Sequence, residues 1–254
     1  MFKLASWNVN SLRVRLEQVL AWLETSKADV LALQETKVTD PNFPVEAFAS
    51  QGFQVVYSGQ KTYNGVAIVS RFPIEDVVIP DWQDPERRVL AASIAGIRLV
   101  NYYVPNGAAV GTEKYAYKLS WLKEATAFLQ AQLIAHPSLA VVGDFNIAPE
   151  DQDVHSPAAF AGGVLVSPLE REAFQALLAV GLHDSFRMFS SKTKQFSWWD
   201  YRAAAFRRDC GARIDHILLS EPLRARCTES QIDVGPRQHV RPSDHAPVWV
   251  SMAI

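Results

Sequence analysis

The spacing of apolar residues switches repeatedly along this chain between two and three to four, which predicts strands and helices interleaved from end to end. Residues 4–8 read as a strand, after which Leu16, Val19, Leu20 and Leu23 share one face of a helix over 12–25. A strand at 29–34 follows. Asn64-Gly65, a strong turn signal, predicts a hairpin between strands 55–61 and 66–70, and a second hairpin turns near Gly96. Leu122, Ala125, Leu129 and Leu133 mark a long helix over 115–135, which His136-Pro137 ends ahead of a strand at 139–142. Ser167-Pro168-Leu169-Glu170 is a capping box with proline at the first helical position; Phe174, Leu177 and Leu178 face inward from that helix, and Gly181 closes it. Strands are expected again at 196–199, 213–220 and 247–252.

Strand–helix units together with hairpins fit neither a purely parallel sheet nor an all-β sandwich. They predict an α/β fold of two mixed sheets packed face to face with helices outside. The two halves share a plan of strand, helix, strand and hairpin strands. The 254 residues carry no linker-like stretch, so a single domain over 1–254 is expected. Long loops fall at 36–43, 105–114, 146–166, 187–195 and 206–212, lengths that belong to functional or mobile segments. Hydrophobic content of 48% with 20% charged residues suits a sizeable core. The N-terminal residues lack the form of a leader peptide and no apolar run is long enough to span a bilayer, so a soluble, cytoplasmic, monomeric protein without membrane partners is expected. Cys210 and Cys227 give neither a disulfide framework nor metal-binding spacing.

Chemistry concentrates where apolar runs end. Leu139-Ala140-Val141-Val142-Gly143 delivers Asp144 and Asn146, two residues apart and so on one face. Leu4 to Asn10 ends in Asn8 and Asn10, Val30 to Gln34 in Glu35, and Val100 to Asn106 passes through Tyr103 into a proline-led loop. Arg213-Ile214-Asp215-His216 places a carboxylate inside a strand pattern, where it must find a cation or several donors. Pro242-Ser243-Asp244-His245 adds an Asp-His pair before the last strand. Taken singly, these residues read as turn formers or solvated strand ends; recurrence at six strand ends favours one shared site. Its donors are hard oxygens without a thiolate cluster, which suits Mg²⁺ or Mn²⁺ and argues against zinc, around Glu35 with Asn8, Asp144, Asn146 or Asp244. A histidine held by a buried aspartate favours the imidazolium. With Asp144 handling water, Asn146 holding it and Tyr103 donating to a non-bridging oxygen, the set predicts metal-assisted phosphoester hydrolysis. A nucleophile elbow and a phosphate-binding glycine loop are both absent. A formal net charge of -2 leaves any phosphate-binding face to be built locally, from Arg13, Lys61, Arg88, Arg202, Arg207 and their neighbours.

The motifs Ser6-Trp7-Asn8-Val9-Asn10, Leu33-Gln34-Glu35-Thr36-Lys37, Asn64-Gly65-Val66-Ala67, Gly143-Asp144-Phe145-Asn146-Ile147, Phe196-Ser197-Trp198-Trp199-Asp200, Arg213-Ile214-Asp215 and Pro242-Ser243-Asp244-His245-Ala246-Pro247 occur in order along the whole chain. As a set they resemble the bacterial exonuclease III family of DNA-repair nucleases. The resemblance implies the DNase I-like four-layer α/β sandwich. It implies a Mg²⁺-dependent enzyme acting on double-stranded DNA at abasic sites and blocked 3′ ends. Glu35 would be the principal metal ligand with Asn8 near it and Asp244 completing the metal side. Asp144 and Asn146 would handle the water, Tyr103 the phosphate, and His245 with Asp215 the scissile oxygen. Arg88 would contact phosphate and Trp198 line the pocket for a base-free sugar. Trp198 and Trp199 both suit a stacking or wedge role. Asn10 stands where some relatives carry Asp, which favours a single metal, and the loop 152–166 bears on the balance between abasic sites and 3′ ends. A binding protein that had retired the site should lack some of Glu35, Asp144, Asp215 and His245, and all four are present. The arginine- and tryptophan-rich stretch 198–208 favours DNA over a phospholipid or inositol phosphate as substrate.

Overall fold

The computed structural model describes residues 1–82 and 84–253. Its strands are β1 (Phe2–Asn8), β2 (Val30–Gln34), β3 (Gln54–Ser58), β4 (Val66–Ser70), β5 (Glu75–Val78), β6 (Val89–Ile94), β7 (Ile97–Tyr103), β8 (Leu139–Asp144), β9 (Leu182–Asp184), β10 (Asp215–Ser220), β11 (Cys227–Ile232) and β12 (Val248–Met252). The α-helices are α1 (Leu12–Ser26), α2 (Val45–Ala49), α3 (Glu113–Ala135), α4 (Pro157–Phe160), α5 (Pro168–Ala179), α6 (Ser185–Phe189) and α7 (Glu221–Arg224). They form two six-stranded mixed sheets, ordered β11-β12-β1-β2-β4-β3 and β5-β6-β7-β8-β10-β9. The shared plan of the halves is visible in these orders. In each sheet a parallel pair bridged by a long helix, β1/β2 by α1 and β7/β8 by α3, is followed by an antiparallel pair.

Four layers follow from strands that are apolar on both faces. Leu4, Ala32, Ile68, Leu99, Val142, Ile217 and Val250 meet in the seam between the sheets. The alternate residues Trp7, Leu31 and Val69 pack outward on Leu12, Val19 and Leu23 of α1 and Phe48 of α2. Val100, Tyr102 and Val141 pack outward on Trp121, Leu122 and Leu129 of α3 and on Phe174 and Leu177 of α5. The Ser167–Glu170 capping box is present, and Thr112 caps α3 by accepting from the Tyr115 N–H. No described helix is long and apolar enough to cross a membrane.

Several expected elements differ. The 64–65 turn is not a tight hairpin: Ser58 already faces Val66, so β3 stops there and residues 59–65 form the connection. Residues 196–199 are not a strand. Trp198 makes single bridges to Ala212 and His245, and neighbouring main chain is spent on holding loops together. The strand expected from 213 starts at Asp215. β5 and β9 are too short, and β11 (Cys227-Thr228-Glu229-Ser230-Gln231-Ile232) too polar, to carry a legible apolar period. The Gly96 turn is a two-residue hairpin, with Ala95 and Gly96 both at positive φ, as the right-handed twist of the flanking strands requires.

Apolar packing resists separation of the sheets but sets their relative position only loosely. That position is given by a buried polar chain across the seam. Asn101 of β7 donates to the carbonyls of Leu33 and Ala67, at 3.0 Å each, and accepts from the Gln34 amide at 2.8 Å, which also donates to Ser6 at 3.0 Å. All three side chains are buried. Asn101→Leu should preserve the packing volume yet strand these groups, lowering stability by about 1–3 kcal/mol in urea denaturation. An unchanged midpoint would show that apolar packing alone holds the sheets in place.

Candidate active site

Rows of seam-facing residues change character along their length. Phe2, Leu4, Ser6 and Asn8 share one face of β1, and Val30, Ala32 and Gln34 one face of β2; Leu99, Asn101 and Tyr103 do so on β7, Ala140, Val142 and Asp144 on β8, and Asp215, Ile217 and Leu219 on β10. Each row is apolar toward one end of the sandwich and polar toward the other, because Asp215 is paired with Asp144 and Asn8 with Gln34. The six predicted strand ends therefore converge. Gly143 permits the close approach of β7 and β8: its φ is 147°, and a Cβ there would lie 1.8 Å from the Tyr102 carbonyl oxygen.

His245 Nδ1 lies 2.9 Å from Asp215 Oδ2, and its Nε2 faces Asp144 Oδ2 at 3.7 Å. Burial alone would strip the imidazole of its proton; Asp215, Asp144 and Asp244 outweigh it and raise the group to about 10. His245 is accordingly an imidazolium aimed between two carboxylates. Burial, with Asp215 nearby, lifts Asp144 to about 7, against the opposing pull of His245 and of the Asn8 and Asn146 donors. Asn8 donates to Glu35 Oε1 and Asp144 Oδ2, at 2.9 Å each, while its own oxygen accepts from the Asn10 N–H. It thus presents an amide donor to the two acids, where the sequence suggested a metal-ligating oxygen. Asn146 donates to the Val104 carbonyl at 2.9 Å and to Asp144 Oδ2 at 3.3 Å. Tyr103 is kept a neutral donor, its hydroxyl raised well above the usual range by burial and by Glu35 and Asp144. Glu35, Asn10 and Asn146 all have positive φ, at 51°, 41° and 49°, a concentration of backbone strain typical of functional sites.

Glu35, Asp144 and His245 offer atoms within 4.8 Å of one another, the spacing of a metal-binding group. A protonated imidazole cannot ligate, so the usable donors are the carboxylate oxygens, which fit a hard divalent ion. Asp244 lies outside this grouping. Its oxygens accept from Asn10 at 3.0 Å and Trp198 at 3.1 Å, and despite burial it is held below the usual carboxylate range by His245, Asn10 and Trp198. Lys37, which the sequence did not single out, is 2.9 Å from Glu35 and 2.6 Å from Asn10 Oδ1.

Glu35, Tyr103, Asp144, Asn146, Trp198 and His245 line a cleft of about 650 Å³ whose rim includes Arg202. Arg202 is exposed and forked onto Asp200. Arg88 lies across the Tyr103 ring, paired with Glu86 at 2.5 Å, in an adjoining hollow. Arg13, Lys61 and Arg207 are exposed but do not line the cleft. Trp199 is a core residue, 3% exposed and packed on Phe196 and Phe206, which removes it as a wedge.

This fold and site are those of a phosphoesterase. Residues 5–245 match the Endonuclease/Exonuclease/phosphatase family, and the chain belongs to it. Exodeoxyribonuclease III of Haemophilus influenzae is 34% identical over 97% of this chain and 98% of its own. A 3′ phosphatase from Neisseria, NExo, solved with a product DNA hairpin, superimposes with a TM-score of 0.98 at 42% identity, and an AP endonuclease from Archaeoglobus fulgidus with 0.96 at 39%, both over all of each chain. Within the family the chain is an exonuclease III-type DNA-repair phosphodiesterase, a hydrolase.

A buried cluster behind the site sets an acid limit on stability. His216 Nε2 is 2.9 Å from the Ile147 carbonyl and its Nδ1 3.1 Å from Arg213 Nη1. A guanidinium only donates, so Nδ1 accepts and the proton sits on Nε2. Burial and then Arg213 lower His216 to about 4, against Asp184 and Asp153. The unfolded chain takes up this proton near 6.5 and the native state does not, so stability is complete above that pH and falls as pH drops toward 4, by up to about 3 kcal/mol. His216→Leu should flatten the fall in urea midpoint between pH 7.5 and 4.5; equal slopes would reject the assignment.

Proposed function

We propose that the chain hydrolyses phosphoesters of double-stranded DNA at abasic sites, cutting 5′ to the lesion, and at recessed or phosphate-blocked 3′ ends, with Mg²⁺ or Mn²⁺ as cofactor. One observation carries the reading: an imidazolium held by Asp215 faces a buried aspartate of raised basicity, beside a second acid suited to a cation. All three reactions share a bond change, since each breaks the bond between phosphorus and a 3′ oxygen and leaves a 3′ hydroxyl.

Asp144 is the general base. Lifted toward neutrality, it orients an attacking water and takes its proton as oxygen bonds to phosphorus. Asn146 and Asn8 hold the Asp144 carboxylate in place. His245, held by Asp215, donates to the scissile 3′ oxygen and protonates it as its bond to phosphorus breaks, while Tyr103 donates to a non-bridging oxygen, so donors fixed before reaction meet the charge that develops. Glu35 would be the principal metal ligand, with Asp144 as a second carboxylate and Asn8 orienting both. The bound cation supplies Lewis-acid stabilisation of negative charge on the phosphoryl and leaving oxygens. With Asn10 in place of an acid, and Lys37 against Glu35, one metal is favoured. Asp244 positions the loop that carries His245. Arg88, Arg202, Arg13, Lys61 and Arg207 contribute phosphate contacts that add affinity without reading sequence. Trp198 lines the pocket for a base-free sugar.

Asp144→Asn should lower turnover on an abasic duplex at least about a hundredfold while leaving DNA affinity nearly unchanged, and a chelator should abolish wild-type cleavage until Mg²⁺ is restored. Cleavage that persists in chelator overturns the cofactor. Trp198→Ala should impair abasic cleavage more than 3′-phosphate removal, and Trp198→Phe, which keeps a ring but loses the bond to Asp244, should spare most of that difference. Equal losses on both substrates would reassign Trp198 to support of Asp244.

A further inference from the structure

Beneath the cleft lies a buried ion pair that the chemistry above does not use. Lys118 of α3 and Glu170 in the first turn of α5 are both sealed from solvent and in direct contact. The Lys118 ammonium also donates to two main-chain carbonyls, those of Asn146 at 2.7 Å and Asn106 at 3.2 Å. The Glu170 carboxylate accepts from the Leu165 N–H at 3.0 Å, the Ser167 N–H at 3.1 Å and the Ser167 hydroxyl at 2.6 Å. One ion pair thereby grips three loops, and each contributes to the same wall: Asn106 and Ala108 from the first, Asn146 from the second, Gly163 and Leu165 from the third.

Filling that volume does not require charge, since apolar residues of similar size serve buried positions as well or better. What the pair adds is direction. Asn146 is held at a φ of 49°, and its carbonyl is fixed by Lys118 while its amide side chain reaches Asp144. The first loop rests on the Lys118 stem closely enough that a Cβ at Gly107 would come within 3.1 Å of its Cδ.

We infer that the Lys118–Glu170 pair is a brace that sets the cleft wall against the reacting groups, making Lys118 a positioning residue for hydrolysis and for selection among 3′ groups. The substrate half of this inference rests on the proposed function; the geometric half does not. The test replaces both charges at nearly constant volume, Lys118→Met with Glu170→Met. Steady-state rates are taken on duplexes bearing a 3′-phosphate, a recessed 3′ nucleotide or an abasic site, alongside amide proton–nitrogen spectra. The variant should stay folded with kcat lowered about tenfold or more and KM little changed. The ratios of activity among the three substrates should change, and the amide signals of Gly107, Asn146 and Leu165 should move together while those of Leu4 and Val250 stay. A folded variant that keeps the wild-type ratios and leaves those three signals unmoved overturns the brace. Should the wild-type protein hydrolyse none of the duplexes, the proposed function falls and the amide signals alone decide. If the double variant does not fold, Glu170→Gln keeps the shape and removes one charge; it should move the same three signals and the same ratios, and their constancy overturns the inference.

Discussion

The site exists only because two sheets are held at one relative position. Asn8, Glu35, Asp244 and His245 come from one sheet or its adjoining loops, and Tyr103, Asp144, Asn146 and Asp215 from the other. A dispersive contact between flat apolar faces has no preferred registration at the scale of a hydrogen bond. The Asn101–Gln34–Ser6 chain supplies one, at the cost of placing three polar side chains in the centre of the molecule. Hydrogen-bonded polar groups in low dielectric are stiff, and a slip of a fraction of an ångström would break these bonds. His245 and Asp144, facing each other from opposite sheets, inherit that precision.

The same logic governs charge. Four carboxylates crowd one end of the seam, and the chain manages them by different means: Asp215 and Asp244 are satisfied by donors, Glu35 shares Lys37, and Asp144 is buried deeply enough, beside Asp215, to hold its proton affinity near neutrality. The differences in environment, more than the residue types, divide the labour among acids that look alike in sequence.

The four-layer plan and most of the site were legible because strand period and strand end carry the information together. A run of inward residues that turns polar at its last member, as in Ala140-Val142-Asp144, states both where the strand lies and where it stops. Less was legible where charge is buried. Glu170 reads only as a capping residue, and Lys118, four residues before Leu122 on the apolar face of α3, carries no signal of its own; only packing of α3 on α5 reveals their pairing. Trp199 misled for the opposite reason: an aromatic beside a functional aromatic reads as its partner, while the bridge at Trp198 turns alternate residues to opposite sides. The strand expected at 196–199 failed with it, because its main chain bonds to residues 212 and 244 in separate loops and not along one neighbour.

One further consequence follows from the Ala95-Gly96 turn. β7 runs from that turn toward Tyr103, which puts the turn at the blunt end of the sandwich, and a Cβ added at Gly96 would meet nothing within 4 Å. A tether, a fluorophore or an inserted segment anchored there would extend away from any duplex occupying the cleft, and exposed turns of this kind are where chains tolerate growth. The molecule thus has one end committed to chemistry and another open to attachment, so immobilised or fused forms can be built without crossing the path of the nucleic acid.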